Sequence, residues 1–276
     1  MSVSRVPKGR GASARRLSGR SKPQRAGATL QQVKGFAFYD VDGTLVDLNL
    51  LHATMFVLAN LSEWSGRLRY ALSFAARLPR LYLAERNDRR VLNEALFECF
   101  KGISRDRLRA LGEEFCDRIL LSHLYPHARD LIEANRAAGF EPVLVTGSPD
   151  FIIEPLAQRL KIEDFAANRL VFSGGLATGR LHPPVMAGED KAQWCETYAS
   201  SRGFSLDSCW GYADSYYDLP FLAAMGHAVA VNPDRRLAAA ARARHWPVMW
   251  FAKTLAAANR PATFQLGDGR RLNGAS

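Results

Sequence analysis

The sequence has too little of several things to belong to certain classes. It has four cysteines in 276 residues, Cys99, Cys116, Cys195 and Cys209. They are scattered, form no C-x-x-C pair and have no histidine cluster beside them. A zinc site or a disulfide framework is not expected, and a reducing, cytoplasmic setting is. No uninterrupted apolar run reaches the roughly 18–20 residues that a membrane span needs. The longest candidate, Leu48 to Leu61, contains Asn49, His52 and Asn60 and reads as a buried helix. There is no internal repeat. Residues 1–30 contain no acidic residue and no apolar h-region of a secretory signal.

The charge imbalance is local. The net charge is +10, but eight of the 37 basic residues and none of the 27 acidic ones lie within residues 1–30. The basic pI therefore belongs mainly to that segment. Rich in Gly, Ser, Ala and Arg and without apolar periodicity, it is expected to be a disordered tail. Its composition resembles a transit peptide, but it lacks a convincing amphipathic helix. A solvated extension is the simplest reading, with weak attraction to anionic lipid or nucleic acid as the alternative. Nucleic acid is not expected as a partner. With 47% hydrophobic residues, the remainder can build a full core.

Along the chain, short apolar runs end abruptly in polar residues. Gly35 to Tyr39 runs into Asp40-Val41-Asp42-Gly43-Thr44, Pro142 to Val145 into Thr146-Gly147-Ser148, and Ser208 to Tyr212 into Ala213-Asp214. His227 to Val231 closes on Asn232-Pro233. Between them lie helical patterns at Ala128–Ala138, Phe151–Leu160, Lys191–Arg202 and Leu219–Met225. Alternation of this kind predicts a parallel α/β sheet of Rossmann-like type. One region breaks it. Residues 48–125 carry only helical signals, with Ser104 a candidate N-cap, and read as an inserted all-helical cap. The expected organisation is a tail at 1–30, a core at 31–47 and 126–257, the cap at 48–125 and a C-terminal tail at 258–276. Leu170 to Gly179, with paired apolar runs around Gly174-Gly175, reads as a hairpin or flap.

Ligands of open α/β sheets bind beyond the carboxyl ends of the strands. That rule gathers Asp40, Asp42, Thr146 and Asp214 into one crevice. A cluster of carboxylates is costly unless a cation offsets it, and hard oxygen ligands suit Mg2+, which also binds phosphate oxygens. The pattern points to a metal and a phosphoryl group.

These residues resemble the motifs of the haloacid dehalogenase (HAD) superfamily. Asp40-Val41-Asp42-Gly43-Thr44-Leu45-Val46 is similar to its first motif and Thr146 to its second. Lys191, in Gly188-Glu189-Asp190-Lys191, is similar to the third, and Gly211 to Pro220, with Asp214 and Asp218, to the fourth. The resemblance covers roughly residues 35–250, and the helical insert resembles the C1-type cap of the phosphoserine-phosphatase-like branch (subfamily IB). It implies a phosphoric monoester hydrolase with Asp40 as nucleophile and Asp42 as general acid and base. Magnesium would sit on the Asp40 carboxylate, the Asp42 carbonyl and Asp214, with Asp218 as a further ligand or as a support behind them. Thr146, with Gly147 beside it, would hold phosphoryl oxygens and Lys191 would offset charge. Gly43 would permit the tight turn beside the phosphate, and Thr44 would buttress the loop.

The expected substrate is a small phosphorylated metabolite or a lipid headgroup phosphate. Phosphoserine phosphatases carry a Glu nine residues after the nucleophile, where this chain has Asn49, a candidate substrate-binding residue of different charge. They also carry a cap Arg, where alignment through Lys101-Gly102 places Leu96; Arg89 and Arg90 remain candidates to reach inward. Phosphoserine is therefore the alternative substrate. Trp64 to Leu83 has four arginines, four aromatics and no acid. A packed cap helix with a basic face is the simpler reading, and peripheral contact with an anionic membrane the other. From a different class, a non-catalytic binding protein on a HAD scaffold would be signalled by loss of Asp40, Asp42 or Asp214, and all three are present.

Overall fold

A computed structural model describes residues 33–61, 89–252, 263–265 and 271–273, the last two segments and Arg89 by backbone only. The tail at 1–30 and the basic segment Trp64–Leu83 lie outside the described residues. The helices, numbered among those described, are α1 (Leu50–Ala59), α2 (Arg89–Phe97), α3 (Arg105–Arg118), α4 (Pro126–Ala137), α5 (Asp150–Arg159), α6 (Gly188–Ser200), α7 (Leu219–Ala223) and α8 (Arg235–Ala243). The strands are β1 (Gly35–Tyr39), β2 (Phe140–Pro149), β3 (Asp164–Ser173), β4 (Leu176–His182), β5 (Trp210–Ala213), β6 (His227–Val231), β7 (Val248–Trp250), β8 (Thr263–Gln265) and β9 (Arg271–Asn273).

The strands form one sheet in the order β4-β3-β2-β1-β5-β6-β7-β8-β9. From β3 to β7 all neighbours are parallel, and β4, β8 and β9 add antiparallel edges. The expected α/β fold is therefore present. From β1 the chain goes on to β2 on one side of it and later returns to β5 on the other. This is the topological switch point at which a crevice opens beyond the strand ends.

Strand β1 shows how the sequence builds both layers. All five of its residues are buried, and successive side chains point to opposite faces. Phe36 and Phe38 enter the cluster containing Cys195, Tyr198 and Phe221, whereas Ala37 and Tyr39 enter the one shared with the cap helices and α4. Tyr39 stacks on Tyr212 at 4.8 Å between ring centroids. Asn135 of α4 donates to both hydroxyls, at 2.6 and 3.0 Å. Three buried polar side chains thus satisfy one another under the site.

Helix boundaries follow local chemistry. Pro126 opens α4 and Gly139, at φ 92°, follows its end. The Ser104 hydroxyl accepts the Arg107 N–H and caps α3. The run expected as strand from Ser208 starts two residues later, because Leu206–Ser208 form a 3-10 turn. The hairpin is longer than Leu170–Gly179, with legs Asp164–Ser173 and Leu176–His182. The first half of β3 escaped the sequence reading because its Asp164, Asn168 and Arg169 interrupt any apolar run. Helix α8, capped by Asp234, was not anticipated either. Residues 258–276, expected as a tail, instead contribute β8 and β9 to the sheet edge; segments of three residues carry no periodicity to read.

The hairpin is joined to the helical layer by backbone bonds. Gly102 N–H donates to Ala177 O, Ala177 N–H to Ile103 O and Arg105 N–H to Gly175 O, at 2.8, 2.9 and 3.1 Å. Helix α3 crosses α5 so closely that a methyl at Gly112 would lie 2.1 Å from the Phe151 carbonyl oxygen. No helix among the described residues is long and apolar enough to cross a membrane. All four cysteines are buried, and none forms a disulfide.

Candidate active site

Asp40 is the first residue beyond β1, and its N–H still donates to Tyr212 O of β5 at 2.9 Å. Its side chain is therefore delivered into the switch-point crevice, where it is 6% exposed. The loop after it is wound on one carbonyl: Val41 O accepts from the N–H groups of Thr44, Leu45 and Val46. Gly43 sits at φ 80°, and a methyl on it would lie 2.2 Å from Asp214 Oδ2. Only glycine allows both the backbone turn and the approach of Asp214. The buried Thr44 places its Oγ1 3.4 Å from both Asp40 Oδ2 and Asp214 Oδ1, which links the ends of β1 and β5.

Lys191 comes from the first turn of α6. Lys191, Cys195, Tyr198 and Ala199 occupy the buried stripe of that helix, the spacing by which a helix covers a core. A lysine on such a stripe must meet an acid inside. Its Nζ, on a side chain only 2% exposed, binds Asp40 Oδ1 at 2.8 Å and Asp218 Oδ1 at 3.0 Å. It also lies 4.8 Å from the centroid of the Phe221 ring. Burial pushes the ammonium's pKa down, but the attraction of Asp218 and Asp40 outweighs it and holds the group above its usual range. Burial raises Asp40 to about 7; Lys191 pulls it down, while Asp218 and Asp42 push it up. Burial thus outweighs the attraction of the ammonium beside it.

Asp40, Asp214 and Asp218 each offer a carboxylate oxygen, and these lie within 4.8 Å of one another. The donor set is hard oxygen and carries excess negative charge, which fits a small divalent cation such as Mg2+. The missing Cβ of Gly43 leaves room for Asp214 in that group.

The Asp42 carboxylate is held differently: Ser148 Oγ donates to its Oδ2 at 2.7 Å. Thr146 is fully buried in the irregular end of β2, and its Oγ1 accepts the Ser148 N–H at 3.1 Å. Asn168 of β3 fixes the next peptide. Its Nδ2 donates to Gly147 O at 2.9 Å, while its Oδ1 accepts the Met186 N–H at 2.8 Å. The structure therefore brings Asp40, Asp42, Thr44, Thr146, Gly147, Lys191, Asp214 and Asp218 to one end of the sheet. Ser148 and Asn168 were not singled out in the sequence. Ser148 stood within a recognised polar run, and its hydroxyl at a strand end was the available signal. Asn168 had none, because its partners are backbone groups distant in sequence.

The cap residues read from the sequence are placed otherwise. Asn49 is exposed and caps α1: its Oδ1 accepts from Leu51 and His52 N–H at 3.1 and 3.4 Å. Leu96 is buried among apolar neighbours. The exposed Arg90 pairs with Glu94 of its own helix and with Asp190 of α6, at 3.3 and 3.4 Å.

The profile of the haloacid dehalogenase-like hydrolases matches residues 37–223. A probable phosphatase of Mycobacterium tuberculosis is 31% identical over 240 residues, covering 86% of this chain and 83% of the relative. A phosphoserine phosphatase of the same organism is 32% identical over 236 residues, covering 84% and 76%. Among solved structures, a protein of unknown function from Bordetella pertussis superposes with a TM-score of 0.66. It is 24% identical and covers 79% of this chain and 98% of its own.

Proposed function

Because the chain belongs to the haloacid dehalogenase-like hydrolase family and is a phosphatase of it, we propose that it hydrolyses small phosphomonoesters through a phosphoryl group carried on Asp40. The observation that carries the reading is the buried Lys191 ammonium shared between Asp40 and Asp218. It holds Asp40 Oδ1, which leaves the second oxygen of a carboxylate made reactive by burial to attack phosphorus. As that bond forms, the ester P–O bond breaks, and Asp42 supplies the proton that the departing alcohol needs. Water then attacks the acyl phosphate, Asp42 takes up its proton, and phosphate leaves with the Asp40 carboxylate restored. The Ser148 hydroxyl bond supports this role by fixing one Asp42 oxygen. Thr146 and the N–H groups near Gly147 receive the phosphoryl oxygens. Asp40, Asp214, Asp218 and the Asp42 carbonyl would hold magnesium, which would supply charge neutralisation for the carboxylates and the phosphoryl group.

The test is an acid quench during turnover of an aryl phosphate with Mg2+. An alkali-labile phosphoryl adduct mapping to the peptide containing Asp40 is expected. Hydrolysis in Asp40→Asn is expected to fall by on the order of 10⁴-fold or more. Magnesium-dependent turnover that survives Asp40→Asn would sink the covalent mechanism.

For substrate, the reading is a small phosphorylated metabolite or a lipid headgroup phosphate. Phosphoserine is the second reading, favoured by the phosphoserine phosphatase that is 32% identical. Against it stand Asn49, whose amide oxygen is committed to the helix cap, and the apolar Leu96. Zwitterion recognition needs charged partners, and sites built on such pairs discriminate strongly. A panel of phosphoserine and uncharged-headgroup monoesters separates the two by kcat/KM. Peripheral contact with an anionic membrane rests on the composition of Trp64–Leu83. It is tested by sedimenting the chain lacking residues 1–30 with anionic liposomes at low salt, and no binding removes it.

A further inference from the structure

Asn93 lies in α2 on the face that buries Leu96, Phe97 and Phe100, where the helical period calls for an apolar side chain. It is 2% exposed, and its Nδ2 has no hydrogen-bond partner among the described residues. A buried amide donor left unpaired costs about 1–3 kcal/mol, and an apolar residue of the same size would avoid that cost. Such a donor is open to a partner from outside the protein, and its position decides which one.

Its surroundings say what arrives. A methyl on Gly147 would lie 2.7 Å from Asn93 Nδ2 and 3.3 Å from Met186 O. The amide therefore sits over the missing side chain of Gly147, between Thr146 and the Ser148 that holds Asp42. The Gly147 carbonyl is already bound by Asn168. Two other polar residues of the described cap are engaged elsewhere: Asn49 caps α1, and Arg90 pairs with Glu94 and Asp190.

We propose that Asn93 is the cap's hydrogen-bond donor to the phosphoryl group, its Nδ2 binding a phosphoryl oxygen held at the Thr146–Gly147 end of β2. The ligand class rests on the phosphatase reading above; the unpaired amide over Gly147 does not. A neutral donor at this place binds the part common to all phosphomonoesters. Its contribution is thus independent of the leaving group and also applies to inorganic phosphate. Asn93 is a binding residue contributed by the helical insert, separate from the residues that read the alcohol.

The experiment is a calorimetric titration of the full chain, in Mg2+, with inorganic phosphate. Asn93→Leu removes the donor and the unpaired polar atom together. It is expected to unfold at an equal or higher urea midpoint and to bind phosphate about tenfold more weakly, the loss of one hydrogen bond of about 1.4 kcal/mol. KM for chemically different monoesters is expected to rise by the same factor. Gly147→Ala provides a second route, since its methyl displaces the amide, and its loss should not add to that of Asn93→Leu. Phosphate affinity within twofold of the parent for Asn93→Leu, or fully additive losses in the double variant, overturns the proposal. Failure of the covalent reading is distinguishable. It appears as absence of the Asp40 adduct in the parent chain, whereas failure here leaves that adduct in place and the phosphate affinity unmoved.

Discussion

The floor of the crevice and the helical layer above it treat polar groups in opposite ways. On the floor, buried charges are bound to one another: Lys191 to Asp40 and Asp218, Asp42 to Ser148, and Thr44 between Asp40 and Asp214. Each member restricts the next, so the geometry is set before any ligand binds. In the helical layer, Asn49 spends its amide oxygen on its own helix, Arg90 reaches an acid at the surface, and Asn93 holds a donor with nothing to bind. The reaction is thus written into contacts within the protein. Recognition is left to groups completed by the substrate. A floor of this kind carries the same chemistry under different caps.

The largest effect is expected at Lys191, the cation shared by the buried acids of the floor. Lys191→Met leaves Asp40 and Asp218 buried together without their shared cation. The expected result is loss of measurable turnover and a fall of about 3–5 kcal/mol in unfolding free energy by urea titration. Unchanged stability would mean that the floor is not held by this ion pair.

A second effect concerns the cation and pH. Without divalent metal, Asp40 has its pKa at about 7 in the folded state against 3.8 for the unperturbed group. Between those values the folded chain binds more protons than the unfolded chain. The contribution of Asp40 to the stability of the metal-free protein therefore falls as the pH rises from about 4 to 7, and an Asp40→Asn comparison isolates it. Added Mg2+ is expected to remove that slope and raise the melting temperature at pH 7.5, and Asp214→Asn to abolish the response. The same pH dependence of melting in EDTA for the parent and Asp40→Asn would contradict the raised pKa of the buried Asp40.

Smaller effects sharpen the boundary between the regions. Asn168→Ala removes two hydrogen bonds that hold the Gly147 peptide and the segment at Met186. A loss of about 1–3 kcal/mol is expected, together with a raised KM and a smaller change in kcat. Asn49→Ala should cost about 1 kcal/mol through loss of the α1 cap, with KM unchanged. A large KM effect there would return Asn49 to the substrate site.

Most of the floor was legible in the sequence, because its residues follow apolar runs whose burial forces their ends into one crevice. Asp40, Thr146 and Asp214 each stand where a strand pattern stops. Lys191 was legible only as one of four motifs taken together, since a lysine at a helix start is ordinarily solvated; its place on the buried stripe with Cys195 and Tyr198 came from the packing of the helix. The cap was legible as helices but not as contacts. Asn49 looked like a reading residue by its distance from Asp40, yet its first chemical opportunity is local: the free N–H groups of the helix that begins one residue later.

What the sequence determined by itself is therefore the alternation of strands and helices and the identity of the groups at the strand ends, because both arise from patterns local in the chain. What only the tertiary structure decided is which of those groups touch. The Ser148 bond to Asp42 spans 106 residues, and the Asn168 bond to Gly147 joins neighbouring strands through a side chain. The unpaired Asn93 over Gly147 depends on how a helix of the insert lies on the end of β2. Such contacts come from packing between elements, and packing leaves no period along the chain.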